Sequence, residues 1–304
     1  MINLFEIQKE PRIFEIGGVK VGGPLGKNPT VLIGTLFYHG HKIVEDEVKG
    51  VFDRRKAEEL INRQDEISEK TGNPCMIDVV CASTEALQKY LDFVSSLTDA
   101  PILMDGVIAT TNIFGLEYAR ESGLIDRIIY NSLVPGYEKD EIEKIKEVGL
   151  ESAVLLALNT KDFTARGRVT AIDNLLSVAG AAGIKKPLID TCVLDIATLG
   201  QACWALFEVK EKYGLPVGCG AHNATSSARK KLKTKYGERS VELCTASANV
   251  MAAAVGADFV LYGPIETADY IFPTIGMVNA AYGQLILDKG LKLERTHPRF
   301  RILR

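Results

Sequence analysis

Histidine is scarce in this sequence: four in 304 residues, at His39, His41, His222 and His297. "HGH" at 39–41 has the His-x-His form of a barrel zinc pair, yet no histidine lies between His41 and His222 to complete a ligand set. Six cysteines (Cys75, Cys81, Cys192, Cys203, Cys219, Cys244) are scattered without a Cys-x-x-Cys pair. Several fall in apolar runs, where a thiol behaves as a small hydrophobe. No metal site is expected, and the "HGH" pair reads as a solvated loop.

Other absences narrow the chemistry. The formal net charge is −3, with no basic excess, which disfavours a nucleic-acid partner. No apolar run approaches the ~20 residues that span a bilayer. The opening "MINLFEIQKEPRIFEIGG" carries charges throughout and has no apolar core before a small-residue cleavage site, so a cytoplasmic protein is expected. Lysine is missing from the strand interiors, which argues against a Schiff-base aldolase, and no G-x-S-x-G elbow is present.

What is present is alternation. Apolar runs "TVLIGTLFY", "CMIDVV", "PILMDG", "RIIYNSL", "SAVLLALN", "PLIDTCVLD", "LPVGCGA" and "DFVLYGPI" begin near residues 30, 75, 101, 127, 152, 187, 215 and 258. Near-continuous apolar strands belong to parallel sheets covered on both faces. Helical patterns separate them. One is read over "EDEVKGVFDRRKAEELINRQDEISEK", with Val48, Val51, Phe52, Leu60, Ile61 and Ile67 on its apolar face. Ser83 or Thr84 caps another, Gly149 closes a third, and "TAIDNLLSVAGAAG" and "DIATLGQACWALFEVKEKYG" follow the same logic.

Eight such alternations predict an α/β chain folded as a (β/α)8 TIM barrel, residues 1–304 forming one domain. A doubly wound sheet needs a glycine-rich phosphate loop after its first strand, and "GTLFYHGHK" is not one. "RIFEIGGVKVGG", within residues 1–28, alternates around Gly-Gly and predicts a β-hairpin capping the barrel's bottom.

Function in such barrels sits at the carboxyl ends of the strands. There the second to seventh runs carry Asp78, Asp105, Asn131, Asn159, Asp190 and Asn223. Any one of these alone is better read as a helix cap, Asn159 and Asp78 above all. Six in succession point to a site, because buried carboxylates and amides are costly unless hydrogen-bonded. A ring of Asp and Asn without Lys or Arg suits a neutral ligand rich in N–H donors. A reduced pterin is one: its 2-amino group and N3–H donate two parallel bonds to a single carboxylate. "VGCGAHNATSS" adds two glycines inside an apolar strand, where a ligand or backbone approaches closely.

The order "LMDG", "IYNS", "LALN", "LIDTCVL", "GCGAHN" resembles the pterin-binding corrinoid methyltransferases, whose methyltetrahydrofolate members read D-S-T, I-N-S, M-N, I-D-P and G-x-S-N at these places. The opening "FEIGGVKVGGPLGKNPTVLIGTLFYHGHKIVEDEVKGVFD" and "NRQDEISEKTGNP" resemble more closely the tetrahydromethanopterin S-methyltransferase branch, whose bacterial relatives serve quaternary-amine demethylation. The resemblance runs over nearly the full chain. It implies methyl transfer between the N5 of a tetrahydropterin and cobalamin carried by a partner corrinoid protein, and by analogy a homodimer. Asp105, Asn131 and Asp190 would hold the pterin's pyrimidine ring, Asn223 would assist at N5, and Gly220 would let the ring lie against the strand. Asp78, Asn159, His222 and Ser226 complete the expected pterin-facing set.

"MDG" in place of D-S-T and His222 in place of a small serine depart from the pattern and tilt the expected pterin toward tetrahydrofolate rather than tetrahydromethanopterin. Two loops, "TKDFTARGR" and "HNATSSARKKLKTKYGERS", are basic; they read either as solvated helix starts and surface or as contacts to the pterin's tail or the partner. A non-catalytic pterin-binding component of a larger assembly is the alternative from another class. A dihydropteroate synthase is a third, disfavoured because it carries Arg and Lys near its strand ends.

Overall fold

Gly17 and Gly18, both at positive φ (50° and 80°), turn β1 (Ile13–Ile16) back on β2 (Val19–Gly22) as an antiparallel hairpin. The computed structural model describes residues 7–304; the first six residues of the opening stretch, and of the 1–28 extension, lie outside the described residues. Then come β3 (Val31–Leu36), a two-stranded ribbon of β4 (Val44–Asp46) and β5 (Val51–Phe52), β6 (Cys75–Cys81), β7 (Ile102–Gly106) and β8 (Ile128–Leu133). β9 (Ser152–Leu156), β10 (Lys186–Asp190), β11 (Val217–Cys219) and β12 (Phe259–Pro264) complete the strands. β3, β6–β9 and β10–β12 close into one parallel barrel, with β12 pairing back to β3. The (β/α)8 expectation is met, each strand starting within two residues of its apolar run.

The outer layer is α1 (Arg54–Thr71), α2 (Thr84–Leu97), α3 (Ala109–Glu121), α4 (Lys139–Val148), α5 (Ala165–Ala181) and α6 (Ile196–Tyr213), then α9 (Glu238–Ala254) and α10 (Ala268–Asp288). Two extra helices, α7 (Asn223–Ser226) and α8 (Arg229–Tyr236), stand between β11 and α9, and α11 (Pro298–Arg301) ends the chain. Ser83 caps α2, and Gly149 and Gly214 close α4 and α6 in the left-handed region, as read from the sequence.

The first long helix is shorter than its pattern. Residues 44–52 form the ribbon, Val48 is exposed, and α1 begins only after Asp53, whose side chain accepts from Lys56 N. Gly50 at φ 62° makes the ribbon's turn, and a cap at Asp53 fixes the helix start beyond it. Two apolar residues, Val51 and Phe52, thus belong to a strand and not to a helical face.

The barrel interior is packed by Val31, Ile33, Met76, Leu103, Ile129, Val154, Leu188, Phe259 and Leu261. Ile16 and Val21 of the hairpin join this same cluster, so the hairpin plugs the bottom of the barrel as expected. Because strand side chains alternate, the inward residues one step further along are Thr35, Asp78, Asp105, Asn131 and Asp190. The layer above the apolar interior is polar.

Candidate functional site

The polar layer falls into two groups joined by β3. On β6–β8, Asn131 Nδ2 donates to Asp78 Oδ1 at 3.1 Å, and Thr35 also hydrogen-bonds the Asp78 carboxyl. Burial pushes Asp78 up to about 6 against those bonds. Asp105, on the neighbouring strand, accepts no hydrogen bond among the described residues; burial and the charge of Asp78 hold it well above the usual carboxylate range. Asp78 is therefore no helix cap, contrary to the simpler expectation. It lies in mid-strand, and Ser83 does the capping.

On β10–β11, Asp190 Oδ1 accepts from Cys192 N at 2.7 Å, and the Gly220 backbone bonds the same carboxyl. Burial again outweighs these bonds and raises it to about 6. Asn223 opens α7, with Nδ2 donating to Val193 O at 3.1 Å. A Cβ on Gly220 would stand 3.2 Å from that amide. The two glycines of "GCG" separate here. A Cβ on Gly218 would run into Phe259 O of the next strand, so Gly218 serves strand packing, and only Gly220 faces Asn223.

His222 is anchored beside them. Its Nδ1 donates to Leu261 O at 3.0 Å and its ring packs over Gly263, while burial lowers its pKa. A cleft of about 800 Å³ opens at this side of the mouth, lined by Thr35, Tyr38, His222, Asn223, Arg229 and Glu266 among others. Ser226 lies exposed on the same rim and bonds back to His222 O. Asn159, by contrast, folds its own loop: Oδ1 accepts from Lys161 N and Asp162 N, and Nδ2 donates to Gly167 O.

Two expectations about loops are corrected. His41 is not solvated: it is 2% exposed, stacks on Tyr38 at 4.3 Å, and its Nε2 lies 3.1 Å from Glu266 Oε1. Only His39 of the pair is exposed. Of the two basic segments the second is largely helical, and the first enters a helix only from Ala165 onward. Arg168 of the first is buried in α5, donating to Thr191 O and Cys192 O, so it props the loop after β10 rather than reaching for a ligand. α8 carries five cationic residues in eight and buries none of them.

A family model described as the tetrahydromethanopterin S-methyltransferase MtrH subunit matches residues 9–294. The chain belongs to that family. The corresponding methyltransferase component of Methanopyrus kandleri is 40% identical, over 95% of this chain and 97% of the relative. That of Methanothermobacter marburgensis is 39% identical, over 99% and 100%. Among solved structures, dihydropteroate synthase of Yersinia pestis in a sulfonamide drug complex superposes with a TM-score of 0.60 at 16% identity, covering 89% of this chain and 98% of that one. The Thermus thermophilus enzyme gives 0.60 at 15%, over 89% and 100%. At such identity the likeness shows a shared barrel alone.

Sequence reasoning misses Thr35, Asn112, Arg168 and Glu266. Thr35 is legible in principle, since "VLIGTL" puts it on the inward face two residues after Ile33. Asn112 exchanges hydrogen bonds with the Gly106 backbone (Gly106 N to Oδ1 at 2.9 Å), and a Cβ at Gly106 would collide with that oxygen. The "MDG" glycine is thus a packing requirement that holds the end of Asp105's strand. Among the described residues no group of three or more His, Cys, Asp or Glu converges as for a metal ion, and no helix is long and apolar enough to cross a membrane.

Proposed function

We propose that the chain transfers a methyl group between the N5 of a tetrahydropterin and a corrinoid carried by a partner protein, working as a homodimer in the cytoplasm with residues 1–304 as one unit. The relatives, named as components of a tetrahydromethanopterin methyltransferase, support the methyl-transfer and pterin parts. The observation that carries the reading is Asp105: an inward, half-buried carboxyl for which no hydrogen bond among the described residues offsets desolvation. A group in that state wants donors. The pterin's 2-amino group and N3–H supply two, and ionised Asp105 accepts both. Asn131 and Asp190 offer the remaining polar edges, with Asp78 orienting Asn131.

The corrinoid supplies a methyl–cobalt bond that exchanges methyl by in-line displacement. This chain supplies position, worth ~7–11 kcal/mol in favourable cases. Gly220 leaves room for a flat ring beside Asn223. With Nδ2 held by Val193 O, the Asn223 amide oxygen has no hydrogen bond among the described residues and accepts N5–H; after rotation Nδ2 donates to methylated N5. His222 and Ser226 meet the ring edge from the cleft, and Asn159 stands at the outer rim through its loop.

The finer choice of pterin rests on opposed supports. Gly106 and His222 lean to tetrahydrofolate, and the relatives' names speak for tetrahydromethanopterin, so the test carries both. Purified protein is titrated with each pterin, with and without methylcobalamin. Binding plus methyl transfer to one of them supports the reading and names the pterin. Tight binding without transfer identifies a non-catalytic pterin-binding component, and binding of neither sinks the proposal.

A further inference from the structure

An amide can hold the N5 hydrogen but cannot keep the proton, so methylation of N5 needs a base that Asn223 does not provide. The cleft bordering Asn223 holds five titratable side chains: Tyr38, Lys42, His222, Arg229 and Glu266. Tyr, Lys and Arg are protonated near neutrality. His222 is committed through Nδ1 to Leu261 O and sits where burial opposes charging it. Glu266, in the turn Ile265–Thr267 directly after β12, is the one carboxylate.

That carboxylate is built into place from a distant loop. Tyr38 Oη donates to Glu266 Oε1 at 3.0 Å, and His41 Nε2 lies 3.1 Å from the same oxygen. The His41 ring is buried and locked: its Nδ1 accepts from Phe37 N at 3.2 Å, and its Nε2 stands against Glu266 Oε1 at 3.1 Å without completing a hydrogen bond. Phe37 makes that bond from a left-handed conformation, φ 60°, uncommon for a bulky residue and a mark of functional constraint. Glu266 itself is 39% exposed toward solvent at the mouth. Its pKa lies below the ordinary glutamate value: burial raises it, but the close approach of His41 and the bond from Tyr38 outweigh that.

We propose that Glu266 is the proton acceptor for the reacting amine, with His41 and Tyr38 as the residues that position it. This rests on the methyl-transfer reading above. As the N5–carbon bond forms and the methyl–cobalt bond breaks, its electron pair staying on cobalt, the N5 proton leaves through cleft water to Glu266. In the opposite direction protonated Glu266 returns it as N5 becomes the leaving group. Lys42 and Arg229 from the two flanking segments, with Tyr38 and His222, are the charged or titratable groups that line the cleft beside this carboxylate, and His41 touches it.

The test uses the full chain with methylcobalamin and whichever pterin binds. Glu266→Ala should cut methyl transfer ~10²-fold or more, change pterin affinity less than about threefold, and recover rate when formate or acetate is added. Glu266→Gln keeps an acceptor for Tyr38 and so guards against misfolding; it should be equally slow and insensitive to added carboxylate. His41→Gln should shift the acid limb of the pH–rate profile while leaving pterin affinity in place. Wild-type rate in Glu266→Gln, or a loss in Glu266→Ala that added carboxylate does not relieve, overturns the assignment alone. A wild-type protein that transfers no methyl to either pterin overturns the methyl-transfer reading and this assignment with it.

Discussion

The two ends of the barrel use the same residue types in opposite ways. At the bottom, Asp258 is buried before β12, but Lys210 Nζ meets its Oδ1 at 2.8 Å and Val217 N donates to its Oδ2 at 2.9 Å. At the top, Asp105 is half-buried with no hydrogen-bond partner among the described residues. Below, the hairpin side chains Ile16 and Val21 seal the apolar interior; above, the interior gives way to a cleft. The paired carboxylate is architecture; the unpaired one, in the function proposed above, takes its donors from a ligand.

Breaking the bottom pair should have the largest effect. Lys210→Met strands the Asp258 charge and should cost ~3–5 kcal/mol in urea denaturation. Asp105→Asn at the top should leave stability unchanged or raise it. If both variants lose stability alike, the contrast between the two ends is wrong.

Next in size is Asn223→Ala, which should slow methyl transfer by ~10²-fold, as loss of one preorganised hydrogen-bonding group does. Pterin affinity, measured in the same preparation, should fall less. An unchanged rate would remove Asn223 from the mechanism.

A smaller effect carries a pH signature. Folding raises Asp78 from 3.8 to about 6. A raised carboxyl contributes fully to stability below its unfolded value and loses that contribution as pH rises through about 6. Asp78→Asn should therefore be more stable than wild type at pH 7–8, by roughly 3 kcal/mol, with the difference nearly gone at pH 4. Denaturant midpoints across that range decide it, and a pH-independent difference would contradict the assigned burial cost.

The smallest expected effect concerns binding alone. Asp105 must be ionised to accept two N–H bonds, and its carboxyl is held up in the free protein, so pterin affinity should strengthen from pH 5.5 to 8 by several-fold. Isothermal titration at the two values checks the sign. In Asp105→Asn the dependence on this group should vanish.

Much of this is legible in the chain alone. Eight apolar runs place eight strands, and alternation puts Asp78, Asp105, Asn131 and Asp190 above the apolar interior on one inward face. The ribbon at residues 44–52 is not, because apolar residues there fit a helical period until Asp53 and Gly50 decide otherwise. His41 reads as solvated because one of the groups that cover it, Glu266, comes from the far end of the chain, 228 residues from Tyr38, which stacks on the ring. Arg168 reads as a surface cation for the same reason, since its acceptors, Thr191 O and Cys192 O, lie on another strand's end.

The sequence by itself determined the barrel, its hairpin plug and the inward polar layer, because strand period and apolar burial act over a few residues. Only the tertiary structure decided which of those polar groups are satisfied. Asp78 finds Asn131 across 53 residues, Asn159 spends its side chain on its own loop, and Asp105 finds no partner among the described residues. Hydrogen bonding is settled pair by pair between groups that closure of the barrel brings together, and closure is a property of the whole chain.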